Sequence, residues 1–300
     1  MASHARNLRH DVRSPTWEWC QSCSGKAEMS ICNFEAMATN DLCWGFWGGL
    51  SQTNNRIVMA RLAIAVGEHG AVNPEAPSMF PRDNCNVMTD SEILDAIQRH
   101  LSFEINIPKF SGGAGNVTTY GQVTDRHCFY LWVMKRITEL YPSRDTRIVE
   151  VGAGLGMLGY YLSAAGYNDY TTIDLSHAGA CQAWFLHRNL PERRIILSGE
   201  DDDPFDARNG DAIKCLHASE FAAAPDDRWD LMVNTDSMTE IPRDQADVYV
   251  NSDRSKALLS INHEVNEFSV CKIVNRKSPV YRYPFWLRDG YVEELFTART

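Results

Sequence analysis

Three hundred residues, 44% of them hydrophobic, suffice for one large domain or a domain with an appended lobe. A net charge of −10 with no lysine- or arginine-rich block argues against a nucleic-acid partner, because phosphate binding needs a concentrated basic surface. There is no apolar run of the roughly eighteen residues that a membrane-spanning helix needs, and residues 1–13 lack the apolar core of a secretion signal, so neither membrane nor export is expected.

Nine scattered cysteines suit free thiols in a reducing cytoplasm better than a disulfide framework. Residues 1–85 carry Trp17, Trp19, Trp44, Phe46 and Trp47 without a sustained period. Only residues 57–66 read as a helix, ended by Gly67 and Gly70. Cys20-x-x-Cys23 with Cys32 and Cys43 offers only one close-spaced couple where zinc sites pair two, so ordinary thiols are preferred and no metal site is assigned.

From residue 89 the pattern sharpens. Thr89 or Asp90 can cap a helix with Ile93, Leu94, Ile97 and Leu101 on its apolar face. Residues 103–110, with Pro108, read as extended, and 111–115 as a glycine hinge. Thr124 or Asp125 then caps an amphipathic helix to about Leu140, burying Phe129, Trp132, Val133, Ile137 and Leu140.

Next comes a β-branched run ending in Glu150-Val151-Gly152-Ala153-Gly154-Leu155-Gly156, then a helical pattern. Glycines at a strand-to-helix turn permit positive φ and let backbone N–H groups approach a ligand. The third glycine of a dinucleotide-binding G-x-G-x-x-G would fall at position 157, which is Met157, so the spacing is instead E-x-G-x-G-x-G. Tyr170-Thr171-Thr172-Ile173-Asp174 reads as the following strand, ending in an acid placed to bind a ribose diol.

Residues 150–156 followed by Asp174 resemble the cofactor site of the class I S-adenosylmethionine (SAM) methyltransferases. The resemblance implies a doubly wound, mostly parallel α/β sheet with SAM across Gly152, Ala153, Gly154 and Gly156. Asp174 would hold the ribose, with Leu175 and Asn234 as further cofactor contacts, and Glu150 would orient the loop or the methionine end. In that family a helix before the first strand often covers the cofactor, which makes Tyr120, Gln122 and Arg126 candidate neighbours. Tyr120 is assigned to the substrate side.

Beyond the turn, residues 157–165 form the first sheet helix, stopped by Gly166, and 178–190 the next. Segments 194–197 and 212–216 are both short strands, and either can be the third strand of the sheet. The acidic run from Glu200 to Asp203 reads as a solvated loop. A buried-type strand over 229–234 precedes Thr235-Asp236-Ser237-Met238-Thr239-Glu240. In an open α/β sheet ligands bind beyond the C-terminal strand ends, which places Asn234, Asp236 and Glu240 near the glycine loop.

Pro242 starts a helix to about Asp253, and a fifth strand over 257–261 delivers Asn262, His263 and Glu264 to its end. A histidine there can be neutral at pH 7 and accept a hydroxyl proton, its imidazolium stabilised by neighbouring carboxylates. Residues 233–240 and 260–264, with the C-terminal segment 283–296, resemble the sugar O-methyltransferases of natural-product and polysaccharide biosynthesis. That likeness spans roughly residues 120–300. Phe285, Trp286 and Tyr291 could offer flat faces to a sugar or aromatic ring, with Arg288 and Asp289 supplying directional hydrogen bonds. Val292, Leu295 and Phe296 are expected to pack.

The expectation is therefore a mostly helical or irregular lobe or lid over 1–119 and a methyltransferase domain over 120–300. The domain would methylate a hydroxyl of a small molecule, a sugar or glycosylated natural product, in the cytoplasm. His263, Asp236 and Glu240 form the catalytic set, and Tyr120, Asn262, Glu264, Trp286 and Arg288 the substrate set. The partner is a small-molecule acceptor, and a homodimer is compatible. Three alternatives stay open. One is a metal-assisted O-methyltransferase with magnesium on Asp236, Glu240 or Glu264; another is an N-methyltransferase; the third is a SAM- or nucleotide-binding partner protein without turnover.

Overall fold

A computed structural model describes residues 52–68, 88–109 and 115–298. The aromatic and cysteine-rich stretch through Cys43 and most of the glycine hinge lie outside the described residues. The chain divides into two compact units, with the boundary between Pro142 and Ser143.

The N-terminal unit contains α1 (Gln52–Val66), α2 (Asp90–Gln98), a small hairpin of β1 (Asn116–Thr118) and β2 (Gly121–Val123), and α3 (Asp125–Leu140). Thr89 caps α2 reciprocally, its hydroxyl accepting from Glu92 N at 3.2 Å while Glu92 accepts from Thr89 N at 2.6 Å. Ile93, Leu94 and Ile97 are buried as expected; Leu101 lies past the end of α2 and is half-buried. Residues 103–108 form no strand.

The unit boundary falls well after the expected residue 120. Helix α3 packs with α1, presenting buried Phe129, Val133 and Ile137, while Trp132 and Leu140 are only half-buried. Buried Asn55 of α1 accepts from Asp125 N at 3.0 Å and donates to Asn116 at 3.3 Å. Burying an amide requires such partners, so these bonds tie α3 and the hairpin to α1.

The C-terminal unit is built on an eight-stranded sheet in the order β5-β6-β4-β3-β7-β8-β10-β9. Its strands are β3 (Ile148–Val151), β4 (Tyr170–Asp174), β5 (Ile195–Leu197), β6 (Ile213–His217), β7 (Leu231–Thr235), β8 (Ala257–His263), β9 (Lys277–Pro284) and β10 (Tyr291–Ala298). All pairings are parallel except those of β10 with β8 and β9. The helices are α4 (Met157–Ala164), α5 (Ser176–Asn189), α6 (Ala218–Phe221) and α7 (Arg243–Val250). Both ambiguous short segments are strands: β6 is the third strand, beside β4, and β5 adds an outer edge. After β3 the chain first builds outward through β4 and β6, then returns to place β7 on the other side. The crevice between β3 and β7 at their C-terminal ends is thus the sheet's switch point.

The core explains the apolar strands. Trp229 is fully buried, stacked on Phe221 at 5.7 Å, and its indole N–H donates to Thr171 Oγ1 at 3.3 Å. Val149, Ile173, Met232, Leu258 and Phe296 join the same cluster. Leu295 and Phe296 are buried as expected, whereas Val292 is half-buried. At the opposite end of the sheet from the switch point, buried Asp169 accepts from Lys214 Nζ at 2.9 Å and from Arg228 at 2.8 Å. Among the described residues no helix is long and apolar enough to cross a membrane.

Candidate active site

The turn after β3 is shaped by three left-handed glycines: Gly152 at φ +70°, Gly154 at +57° and Gly156 at +84°. Their reasons differ. A Cβ on Gly152 would lie 2.1 Å from Ser237 Oγ, so this glycine permits close packing against the turn after β7. A Cβ on Gly154 would meet nothing within 4 Å, so that side of the turn is open. Gly156 stands at the N-terminus of α4, where backbone N–H groups favour an anionic or polar ligand.

Asp174, at the end of β4, is drawn against this turn. Its carboxylate accepts from Leu175 N and from Gln182 Nε2, each at 2.8 Å, and the backbone N–H groups of Gly154 and Ala153 also bond to it. Burial pushes its pKa up to about 6, and those hydrogen bonds oppose the rise. Gln182, absent from the sequence-based set, organises the corner. It also donates to Gly154 O at 3.0 Å and accepts from Thr172 Oγ1 at 2.6 Å. Ten residues of chain separate Thr172 from Gln182, and no motif marks the helix face that brings them together.

Glu150 is fully buried inside β3. Burial raises its pKa to about 7, against hydrogen bonds from the Tyr170 hydroxyl and, at 3.4 Å, from Thr235 Oγ1; the charge of Asp174 adds to the rise. Its contacts lie with the strands beneath the turn.

Asn234 and Asn262 form an internal staple. Asn234 donates to Val151 O at 2.7 Å and Ser237 Oγ at 2.6 Å, and accepts from Met238 N at 3.0 Å and Asn262 Nδ2 at 2.8 Å. Asn262 also donates to Ser260 Oγ at 2.9 Å and accepts from Ser237 N at 3.2 Å and Met238 N at 3.1 Å. Each amide group thereby makes four hydrogen bonds, its full ordinary complement. Expected from the sequence as cofactor and substrate contacts, the two side chains brace the ends of β7 and β8 against the glycine turn.

Beyond the staple lie the candidate catalytic groups. Asp236 takes the left-handed conformation at φ +60°, which aspartate tolerates better than most residues. Its carboxylate accepts from Arg288 at 2.6 Å and from the Tyr291 hydroxyl. The Arg288 guanidinium also lies 4.4 Å from the centre of the Tyr291 ring. His263 pairs in register with Tyr291, and their rings meet edge-on at 5.4 Å. Its Nε2 is 3.7 Å from Glu240 and 3.5 Å from the Asn266 amide nitrogen, while its buried Nδ1 has no hydrogen-bond partner among the described residues.

Asp236, Glu240 and His263 thus come together, with one ligand-type atom from each within 4.8 Å of the others. Glu264 belongs to a different group, paired with Arg282. Trp286 is 44% exposed on the connection between β9 and β10, compatible with a stacking surface. Tyr120 belongs to the N-terminal unit, where its hydroxyl donates to Asp95 at 2.8 Å. Tyr291 was read from the sequence as a flat ring, but its hydroxyl bond to Asp236 was not legible there.

The corner formed by the glycine turn and Asp174 suits an adenosyl cofactor, since it joins an open turn at Gly154 to a half-buried carboxylate and the N-terminus of α4. No protein-family model matches the chain, and no curated protein matches it. Solved structures overlap with the fold. The PH0226 protein from Pyrococcus horikoshii OT3 aligns over 58% of this chain and 92% of its own, with 7% identity and a TM-score of 0.44. The glycopeptide N-methyltransferase MtfA complexed with sinefungin covers 57% and 87%, with 14% identity and a TM-score of 0.41. Geranyl diphosphate C-methyltransferase from Streptomyces coelicolor A3(2) covers 52% and 72%, with 10% identity and a TM-score of 0.39. In strand order and direction, residues 143–298 have a Rossmann-like, doubly wound, mostly parallel fold.

Proposed function

We propose that this protein is a SAM-dependent methyltransferase acting on a hydroxyl of a small molecule, a sugar or glycosylated natural product. One observation carries the cofactor half of the reading: three left-handed glycines and the Asp174 carboxylate share one corner at the switch point of the sheet. When bound there, SAM supplies an electrophilic methyl group. The chain's own residues then have separable tasks. Asp174 would accept from the ribose hydroxyls, Gln182 would hold Asp174 and the turn in register, and the Asn234–Asn262 staple would keep the turn rigid.

His263 would take up the acceptor's proton on Nε2, with the Glu240 carboxylate 3.7 Å away stabilising the resulting imidazolium. Arg288 and Trp286 would meet the acceptor from the β9–β10 connection. Holding acceptor and methyl donor at near-attack geometry and excluding water would supply much of the rate. The sugar class rests on the resemblance of segments 233–240 and 260–264 to sugar O-methyltransferases.

A second reading is favoured by the proximity of Asp236, Glu240 and His263: a divalent cation held by these groups would acidify the acceptor hydroxyl, with His263 a ligand instead of the base. Manganese binding that Glu240→Gln weakens would select it. The test of the main reading is SAM titration by calorimetry into the unaltered chain and Asp174→Ala. The expected result is micromolar binding that falls at least about tenfold, ~1.4 kcal/mol, in the variant. No binding of SAM or S-adenosylhomocysteine to the unaltered chain would remove the proposal. Binding without a methylated product across a broad acceptor panel would favour a partner protein.

A further inference from the structure

A cavity of about 420 Å³ lies just past β8. Its volume falls in the range of small-molecule sites, about 300–1,000 Å³. Asn266 forms part of the wall and ties the cavity to the candidate active site. Its amide nitrogen donates to Thr239 O at 2.8 Å and sits 3.5 Å from His263 Nε2.

The lining is rich in hydrogen-bond donors and poor in acceptors. Lys272 and Arg282 stand against a single acidic lining residue, Glu264. Arg282 already engages Glu264, and its Nε donates at 2.8 Å to buried Glu294, which does not line the cavity. Those two carboxylates offset the charge of Arg282, yet both N–H groups of its Nη1 are left without a partner among the described residues. The exposed Lys272 ammonium has no side-chain partner among them either, so it supplies the charge a ligand would meet. Ser269 is 6% exposed, and among the described residues its hydroxyl has only the Cys271 thiol, a weak partner at 3.5 Å. A neutral hydroxylated ligand needs acceptors as well as donors. Three donor groups in surplus, one of them an unpaired cation, match an oxyanion, whose oxygens only accept.

We propose that this cavity holds an anionic group, a carboxylate or a phosphate, of the molecule that is methylated. Lys272 provides the charge, and Ser269 and Arg282 Nη1 provide the directional hydrogen bonds. The substrate class is then a hydroxy acid or a hydroxylated phosphate ester, its hydroxyl turned past Asn266 toward His263. That last assignment rests on the methyl-transfer reading above; the anion site itself rests on the lining of the cavity.

Saturation-transfer difference NMR on the full chain tests this with acetate and methylphosphonate as the two anion types. Acetamide and methylammonium are their neutral and cationic counterparts, and each probe carries one methyl group to observe. At least one anion should bind more tightly than both counterparts, and which anion it is assigns the group as carboxylate or phosphate. Its Kd should rise about fivefold or more in Lys272→Ala and in Ser269→Ala, and stay within about twofold in Lys272→Arg. Lys256→Ala removes an exposed cation outside the cavity and should leave the Kd within about twofold. Lys272 is exposed and the Ser269 hydroxyl makes no capping bond, so folding should survive both substitutions. Neither anion binding, a counterpart binding as tightly as both anions, an unchanged Kd in Lys272→Ala or Ser269→Ala, or an equal loss in Lys256→Ala would overturn the proposal. Calorimetry with S-adenosylhomocysteine on the same samples separates the two readings. Anions failing while that nucleoside binds would sink the cavity assignment alone, whereas the nucleoside failing to bind would sink methyl transfer itself.

Discussion

Gly152→Ala is the substitution whose cost the structure resolves most sharply. The new Cβ would lie 2.1 Å from Ser237 Oγ and 2.6 Å from Ser237 Cβ, so Ser237 must move. That serine is held in place, accepting from Asn234 Nδ2 at 2.6 Å and donating to Val151 O at 3.1 Å. Placing an L side chain at φ +70° costs ~1–2 kcal/mol, and losing a partly buried hydrogen bond costs ~1 kcal/mol or more. The expected loss is about 2–4 kcal/mol. Gly154→Ala shares the left-handed backbone, at φ +57°, but its Cβ meets nothing within 4 Å. It should cost only the backbone penalty, ~1–2 kcal/mol. Urea titration of the full chain, followed by circular dichroism, measures both. Adding Ser237→Gly to Gly152→Ala removes the obstructing atoms and should recover ~1 kcal/mol relative to additivity. Equal costs at the two glycines, or no recovery in the double variant, would refute the packing explanation of Gly152.

Two further predictions concern buried charge. Glu150, with its pKa raised by burial from an ordinary 4.5 to about 7, is protonated in both folded and unfolded states below about pH 4.5, where it imposes no penalty. Between about pH 4.5 and 7 the unfolded state ionises while the folded state stays protonated, so stability is lost, up to ~3 kcal/mol, and the loss levels off above pH 7. The stability of Glu150→Gln relative to the unaltered chain should therefore increase by about that amount between pH 4.5 and pH 8, measured by urea titration; a pH-independent difference would contradict the assignment. Asp169→Ala strands the buried cations Lys214 and Arg228 and should cost ~3–5 kcal/mol, whereas Lys214→Met keeps the Asp169–Arg228 pair and should cost much less. Urea titrations of the two variants decide this, and equal costs would count against the triad as described.

The local devices were readable because their causes lie within a few residues. The cap of α2 was expected at Thr89 or Asp90, directly before the helix it starts, and the left-handed glycines at 152, 154 and 156 follow from chain geometry at a strand-to-helix turn. Asp174 was placed by the spacing of one strand from the next. The doubly wound architecture was implied by the resemblance those residues carry, and the strand and helix patterns on either side of the turn agree with it.

What tertiary structure decided was direction and partnership. An asparagine at a strand end gives no sign of whether its amide faces a ligand or a neighbouring strand; the parallel register that pairs Asn234 with Ser260 turns it toward Asn262. Likewise α3 could have covered either unit, and packing against α1 placed it in the N-terminal one. Asp236 meets Arg288 and Tyr291 across more than fifty residues because the antiparallel pairing of β10 with β8 sets Tyr291 opposite His263. Backbone conformations and caps are set by neighbours in sequence, whereas hydrogen-bond partners of buried polar side chains are set by neighbours in space. The amino-acid sequence by itself therefore determined where the glycine turn and the acid at the end of β4 lie, and only the folded sheet decided which side chains each of them meets.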